Sequence, residues 1–142
     1  MNIRTDAPFA IKAMMELEQF INQTSIPRSL KELIKIRASQ INGCAYCIDL
    51  HSKDAFKYGE KLQRIVVLSA WREAKYLFTE EEQVVLSITE EITLIHQNGL
   101  SELTLRRANQ FFNDKQIAEI VMAVITINCW NRIAISSHLI ME

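Results

Sequence analysis

The chain contains few of the residues that interrupt regular secondary structure. Only three glycines and two prolines occur among its 142 residues. Sandwiches and barrels of β-strands need many turns, and turns are built largely from these two residue types. No segment is rich in Pro, Ser or Gln, which argues against disorder. The scarcity excludes a β-rich fold, and the length fits one domain, residues 1–142.

Neither an excess of one charge nor a long apolar run is present. Lys and Arg number 16 against 17 Asp and Glu, so we expect no nucleic-acid partner. The longest wholly apolar run is 120–125, whereas a membrane span needs about 20 residues. The N-terminus lacks the apolar stretch of a signal peptide. We therefore expect a soluble, cytoplasmic protein without a membrane partner, in which cysteines stay reduced.

Apolar residues recur at helical spacing along almost the whole chain. The predicted helices are 7–22, 28–41, 44–59, 62 to about 71, 80 to just before 99, 102 to about 112, and 114 to about 139. Thr79 with Glu82 and Asn113 with Gln116 form predicted capping boxes, and Ser101 is a predicted N-cap.

The last predicted helix is apolar on nearly all sides over residues 117–127. Such a helix is buried by its neighbours or by another subunit. The sequence therefore predicts an all-α domain of about seven helices, with a long apolar C-terminal helix.

One stretch carries reactive side chains at helical spacing. Cys44, Cys47 and His51 are three and four residues apart, so they share one face of a helix. The turn at Gly43 places both thiols in the first helical turn, where the positive end of the helix dipole favours a thiolate. His51 can accept a proton from Cys47. Two thiols one turn apart can also close to a disulfide.

Other interpretations of this stretch are weaker. Structural zinc needs a fourth ligand, and His96, His138 and Cys129 are remote in the sequence. A c-type haem site needs His directly after the second Cys, where this chain has Ile48. A thioredoxin-like fold needs strands, and no strand pattern precedes Cys44. Two structural cysteines beside a core histidine remain an alternative.

Four spaced residues match the signature of the alkylhydroperoxidase D-like (AhpD-like) proteins, part of the carboxymuconolactone decarboxylase superfamily. In that signature a Glu lies twelve residues before Cys-x-x-Cys-x-x-x-His. The matching residues are Glu32, Cys44, Cys47 and His51, and the flanks 33–51, 70–74 and 129–132 are also similar. The resemblance covers residues 8 to 136.

The resemblance implies an all-α homo-oligomer, often a trimer or hexamer, with thiol-dependent peroxidase or disulfide reductase activity in antioxidant defence. Cys47 would attack the hydroperoxide and become a sulfenic acid, and Cys44 would resolve it as a disulfide. Glu32 and His51 would relay protons. A dithiol protein or a small thiol would reduce the disulfide. No organic cofactor and no metal are implied. The helix dipole alone would make Cys44 the more acidic thiol. The assignment of Cys47 as the attacking thiol therefore rests on the family and on its closeness to His51.

The chain departs from the family at one position beside the cysteines. Tyr46 stands where the best-known members have His, and a neutral Tyr cannot act as a base near pH 7. Two further hypotheses stay open. One is a lactone decarboxylase of the same superfamily, a branch that generally lacks the cysteine pair. The other is a non-enzymatic redox-sensing oligomer.

Overall fold

Helices dominate residues 1–141, the part of the chain that the structure, a computed structural model, describes. This part contains eight α-helices, two short 3₁₀ turns and no strand. The helices are α1 (Ile3–Asp6), α2 (Pro8–Gln23), α3 (Arg28–Asn42), α4 (Ala45–Lys57), α5 (Leu62–Val66), α6 (Glu80–Thr93), α7 (Glu102–Ala108) and α8 (Asp114–Ser136). The predicted all-α class and long final helix are confirmed. The short helix α1 was not predicted.

Side-chain caps begin three of these helices at the predicted residues. The Thr79 hydroxyl accepts the Glu82 N–H, and the Glu82 carboxylate accepts the Thr79 N–H. Asn113 and Gln116 make the same reciprocal pair. Ser101 caps α7. Each cap satisfies N–H groups that have no partner within the helix.

Helix α3 is central because it packs against α4, α6 and α8. On one side, its Ile34 joins Ile88 of α6 and Ile120 of α8 in the larger core. On another side, its Leu33 joins Trp71 in a second core that also receives residues of α4 and α6. Helix α3 therefore presents residues to both cores and to α4.

The predicted helix from 62 to about 71 is shorter than expected. Helix α5 ends at Val66, and 3₁₀ turns follow at Leu68–Ala70 and Lys75–Leu77. The β-branched Val66 and Val67 have low helix propensity. The tighter turn still buries Leu68 and Trp71 in the second core.

The last helix also ends early, at Ser136 instead of about 139. His138 adopts a left-handed conformation with φ of 51°. The Leu139 N–H then donates to the carbonyl of Ala134, as in a helix-ending turn. This reversal packs Leu139 beside Cys44 and Cys47.

Helix α8 is long and apolar enough to span a membrane, judged by length and composition alone, and half of its most apolar stretch is buried. Ile117, Ile120, Val124 and Ile127 lie in the core beside α3 and α6. Ile125 is among its exposed side chains. The core helix of a globular protein passes the same test, and the buried side of this helix packs on its neighbours.

The carboxylate of Glu90 joins α6 to α3 and to the segment after α5. It accepts hydrogen bonds from Arg37 Nε at 2.9 Å, from Trp71 Nε1 at 2.8 Å and from Arg72 Nη2 at 2.6 Å. Burial alone would raise the pKa of Glu90, but the hydrogen bonds from Trp71 and Arg37 and the charges of Arg37 and Arg72 lower it. The ionised carboxylate therefore stabilises the fold.

Replacing this carboxylate tests its structural role. We expect Glu90→Gln to lower the free energy of unfolding at pH 7 by about 1.5–3 kcal/mol, the range for hydrogen bonds to charged groups. Since the folded-state pKa is depressed, the wild type should lose this contribution as the pH falls below about 4.5, and the variant should not. Denaturant unfolding at pH 7, 5 and 3 measures the loss of stability at pH 7 and its dependence on pH. The control is the exposed Glu73→Gln, and equal effects of the two changes would contradict the account.

Candidate active site

A glycine in the left-handed conformation separates α3 from α4. Gly43 has φ of 68°, which is strained for other residues. The N–H of Cys44 then donates to the carbonyl of Ser39 at 2.9 Å and closes the end of α3. The reversal begins α4 directly after Cys44 and packs it against α3.

Cys44 is the N-cap residue of α4, and Cys47 lies in its first turn. The Cys44 sulfur accepts the backbone N–H of Cys47 at 3.4 Å. Ser, Asp or Asn more often occupies this N-cap position. Both cysteines are free thiols. The structure thus places the pair at the start of a helix, as the sequence predicts.

The interior encloses both sulfurs. Cys44 is 1% exposed and Cys47 is 3% exposed. Ala134 of α8 packs on both cysteines, with Tyr46 and Leu139 at the edge of the cluster. The pair therefore lies at the junction of α4 and α8.

Burial reverses the expected effect of the helix start on Cys47. It raises the pKa of Cys47 to about 12, and a side-chain hydrogen bond with Cys44 contributes in the same direction. The polar side chains of Asn131 and Ser39 act against this increase. The predicted acidification of Cys47 is wrong chiefly because burial disfavours the thiolate, and the backbone N–H of Cys47 serves the sulfur of Cys44. In the resting protein Cys47 is a thiol.

Glu32 and His51 face each other in the interior, one on α3 and one on α4. His51 Nδ1 lies 3.7 Å from Glu32 Oε2, and neither buried atom has a hydrogen-bond partner. Glu32 is 6% exposed, so it is not a solvated surface residue. The separation is too long for a hydrogen bond, but a small approach would form one.

Burial pushes both groups toward their neutral forms. It raises the pKa of Glu32, although the charge of Lys35 opposes it. Burial also lowers the pKa of His51 to about 4, with Lys35 adding to the decrease. At neutral pH His51 is therefore an uncharged imidazole that can accept a proton.

His51 lies between an apolar cavity and a polar cleft. The cavity has a volume of about 240 Å³ and is lined by Cys47, His51 and Tyr46, by the charged Arg4 and Glu18, and by apolar side chains. Its apolar walls are Met15, Leu50, Trp130, Ile133, Ala134 and Leu139. The cleft, of about 530 Å³, contains Glu32 and His51 among charged residues. A larger cleft of about 620 Å³ reaches Glu32 but neither cysteine.

The structure thus brings together Glu32, Cys44, Cys47 and His51. The remaining thiol and histidines lie elsewhere: Cys129 lines a groove between α6 and α8, and His96 and His138 are exposed. Within residues 1–141 no cluster of three or more His, Cys, Asp or Glu side chains is arranged to hold a metal.

Two residues beside Cys47 carry no signal in the local motif. Ser39 and Asn131 are both fully buried, and they hydrogen-bond to each other across the α3–α8 contact at 2.9 Å. Asn131 is more than eighty residues from the cysteines in sequence. Its sequence signal is its place in the family-like stretch 129–132, three residues after Asn128.

A model of the carboxymuconolactone decarboxylase family matches residues 8–91 of the chain. The chain belongs to this family. It is also 43% identical over 130 residues to YdfG of Bacillus subtilis strain 168, described as uncharacterized, covering 92% of this chain and 88% of YdfG. The predicted family is confirmed.

Solved structures agree with this assignment. A protein of unknown function from Agrobacterium tumefaciens, described as a candidate antioxidant defence protein AhpD, matches with a TM-score of 0.95 at 34% identity, over 100% of this chain and 97% of that one. The AhpD-like assignment within the family is thereby supported. The debrominase Bmp8 shares the fold, with a TM-score of 0.83 at 18% identity, over 97% of this chain and 74% of that one. The family includes enzymes.

The neutral state of His51 has a measurable consequence. By NMR its ring should protonate near pH 4, compared with about 6.5 for an ordinary histidine. Since the folded-state pKa is depressed, protonation of the unfolded chain should reduce stability as the pH falls from about 6.5 toward 4.

The variant His51→Gln assigns the NMR signal and should flatten this part of the stability profile. His96→Gln removes an exposed histidine and serves as the control. A His51 midpoint near 6.5 would show that the imidazole is solvated and would contradict its burial.

Proposed function

We propose that this protein is a thiol-dependent peroxidase in which Cys47 attacks a hydroperoxide and Cys44 resolves the product. The observation that carries the proposal is the unequal access of the two thiols. Cys47 lines the apolar cavity together with His51, whereas Cys44 is not among the residues that line it. The Cys44 sulfur accepts the backbone N–H of Cys47 at 3.4 Å, so Cys44 lies within reach of Cys47.

The reaction is a two-electron reduction of the peroxide by two thiols. The Cys47 thiolate attacks one oxygen of the hydroperoxide, the O–O bond breaks, and the alcohol leaves with a proton. Cys47 becomes a sulfenic acid. The Cys44 thiol then attacks that sulfur, water leaves, and the Cys44–Cys47 disulfide forms. An external dithiol reduces this disulfide by exchange and becomes a disulfide itself.

His51 and Glu32 would move the protons that these steps require. Cys47 rests as a thiol, so a base must take its proton, and neutral His51 lines the same cavity. Nδ1 of His51 faces Glu32, which leaves Nε2 as the nitrogen that serves the thiol. A protonated imidazole would be stabilised by the Glu32 carboxylate. Glu32 also lines the polar cleft, through which protons exchange with solvent.

The cavity favours an organic hydroperoxide over hydrogen peroxide. Its walls are mostly apolar, and its volume of about 240 Å³ holds a small organic body. Tyr46 at its edge supplies a hydroxyl donor where the family often has His. The reducing partner is a dithiol protein or a small thiol, and no further cofactor is required.

Two other activities of the fold are distinguished by their need for the thiols. Lactone decarboxylation, after which the family is named, does not require a cysteine pair. Redox sensing requires the pair but not turnover. Peroxidase activity requires both cysteines and turnover, so cysteine variants separate the three.

The test measures consumption of cumene hydroperoxide with dithiothreitol as reductant. We expect turnover by the wild type, and a fall to the rate without protein in Cys47→Ser, because that variant lacks the attacking sulfur. Before dithiothreitol is added, Cys44→Ser should trap the Cys47 sulfenic acid, because the disulfide cannot form. Cys129→Ser is the matched control and should keep the wild-type rate, since Cys129 lies in a different groove.

Wild-type activity in Cys47→Ser would contradict the assigned attacker. A wild type no faster than the reaction without protein would contradict the peroxidase proposal. In that case, a change of oligomer size on oxidation would favour redox sensing.

A further inference from the structure

The chain turns back over the thiol pair directly after α8. Helix α8 ends at Ser136, and the N–H of Leu139 donates to the carbonyl of Ala134 at 3.1 Å. The Leu139 side chain packs on the cluster of Cys44, Cys47 and Ala134. It is only partly buried, whereas both cysteines beneath it are almost fully enclosed. Leu139 therefore lies between the thiol pair and solvent.

The same side chain forms part of the wall of the apolar cavity. Cys47, His51 and Leu139 all line this cavity of about 240 Å³. The residues that follow do not hold Leu139 in place, because Ile140 is 82% exposed and Met141 is 54% exposed. One apolar side chain and the hydrogen bonds of a single turn therefore close this side of the cavity.

Two features of the turn oppose its closed form. His138 has φ of 51°, in the left-handed region where the end of a helix usually carries Gly. A residue other than Gly in this conformation costs free energy, and such residues are found at ligand clamps and switch segments. Within residues 1–141 the buried hydroxyl of Ser137 has no hydrogen-bond partner, which adds a further cost. Opening the turn would relieve both.

We propose that the turn of Ser137, His138 and Leu139 is a lid over Cys47, and that Leu139 limits the size of the molecules that reach this thiol while the lid is closed. Compact organic hydroperoxides then form the substrate class, and bulkier ones react only through the open form. The inference deepens the proposed function and rests on it in taking Cys47 as the reacting thiol. It adds a specificity-determining residue from the end of α8.

The test compares two alkylating reagents of different size on Cys47 as the sole thiol, in a Cys44→Ser/Cys129→Ser background. Iodoacetamide is small, and N-(1-pyrenyl)iodoacetamide carries a large fused-ring group on the same reactive unit. Both react with the thiolate, so the ratio of their rates at one pH does not depend on the pKa of Cys47. Each rate is divided by that of the same reagent with free glutathione, and labelling is followed by mass spectrometry.

Leu139→Ala should raise the rate of the pyrenyl reagent about tenfold relative to iodoacetamide, because it removes most of the apolar contact that favours the closed lid. His138→Gly should lower this ratio, because Gly adopts the left-handed conformation without strain and stabilises the closed turn. The matched control is Ile140→Ala, which truncates a side chain of the same size at the next, exposed residue. Its ratio should equal that of the background protein.

If circular dichroism shows that Leu139→Ala does not fold, Leu139→Val is measured instead and should raise the ratio in the same direction. An unchanged ratio in a folded Leu139 variant would overturn the proposal, as would an equal increase in Ile140→Ala. A ratio that His138→Gly leaves unchanged or raises would contradict a lid that opens. Because no peroxide is used, the result is independent of whether the protein reduces hydroperoxides.

Discussion

Burial of the Cys47 side chain between α4 and α8 is the constraint on which the chemistry of this site depends. An isolated thiol in the first turn of a helix would be acidified, yet burial raises the pKa of Cys47. A buried thiol keeps its proton until a neighbouring group takes it. In the proposed reaction that group is His51, which burial keeps neutral and which lines the same cavity as Cys47.

Helix α3 packs against α4, α6 and α8, and it therefore presents its own side chains to the residues of the site. Its Glu32 faces His51, and its Ser39 meets Asn131. Its Lys35 binds Glu18 Oε1 at 2.8 Å, and Trp130 of α8 donates to Glu18 Oε2 at 3.1 Å. Glu18 thereby links α2, α3 and α8 beside the site and lines both the apolar cavity and the polar cleft.

Local sequence signals predicted the helices, the two capping boxes and the helix-start position of the cysteines, because each depends on residues close in sequence. The family spacing brought in Glu32, which the structure places opposite His51. The protonation state of Cys47 could not be predicted in this way, since it depends on burial by α8. The return of Leu139 over the cysteines and the hydrogen bond from Asn131 to Ser39 depend on the same distant contact.

The central claim, that Cys47 meets the peroxide first and Cys44 reacts second, is tested most directly by trapping the sulfenic acid. Each single cysteine variant is treated with one equivalent of cumene hydroperoxide and with dimedone, which labels sulfenic acids, and the labelled peptide is identified by mass spectrometry. We expect label on Cys47 in Cys44→Ser, and none on Cys44 in Cys47→Ser. Label on Cys44 in Cys47→Ser, with an unlabelled Cys47 in the other variant, would contradict the account.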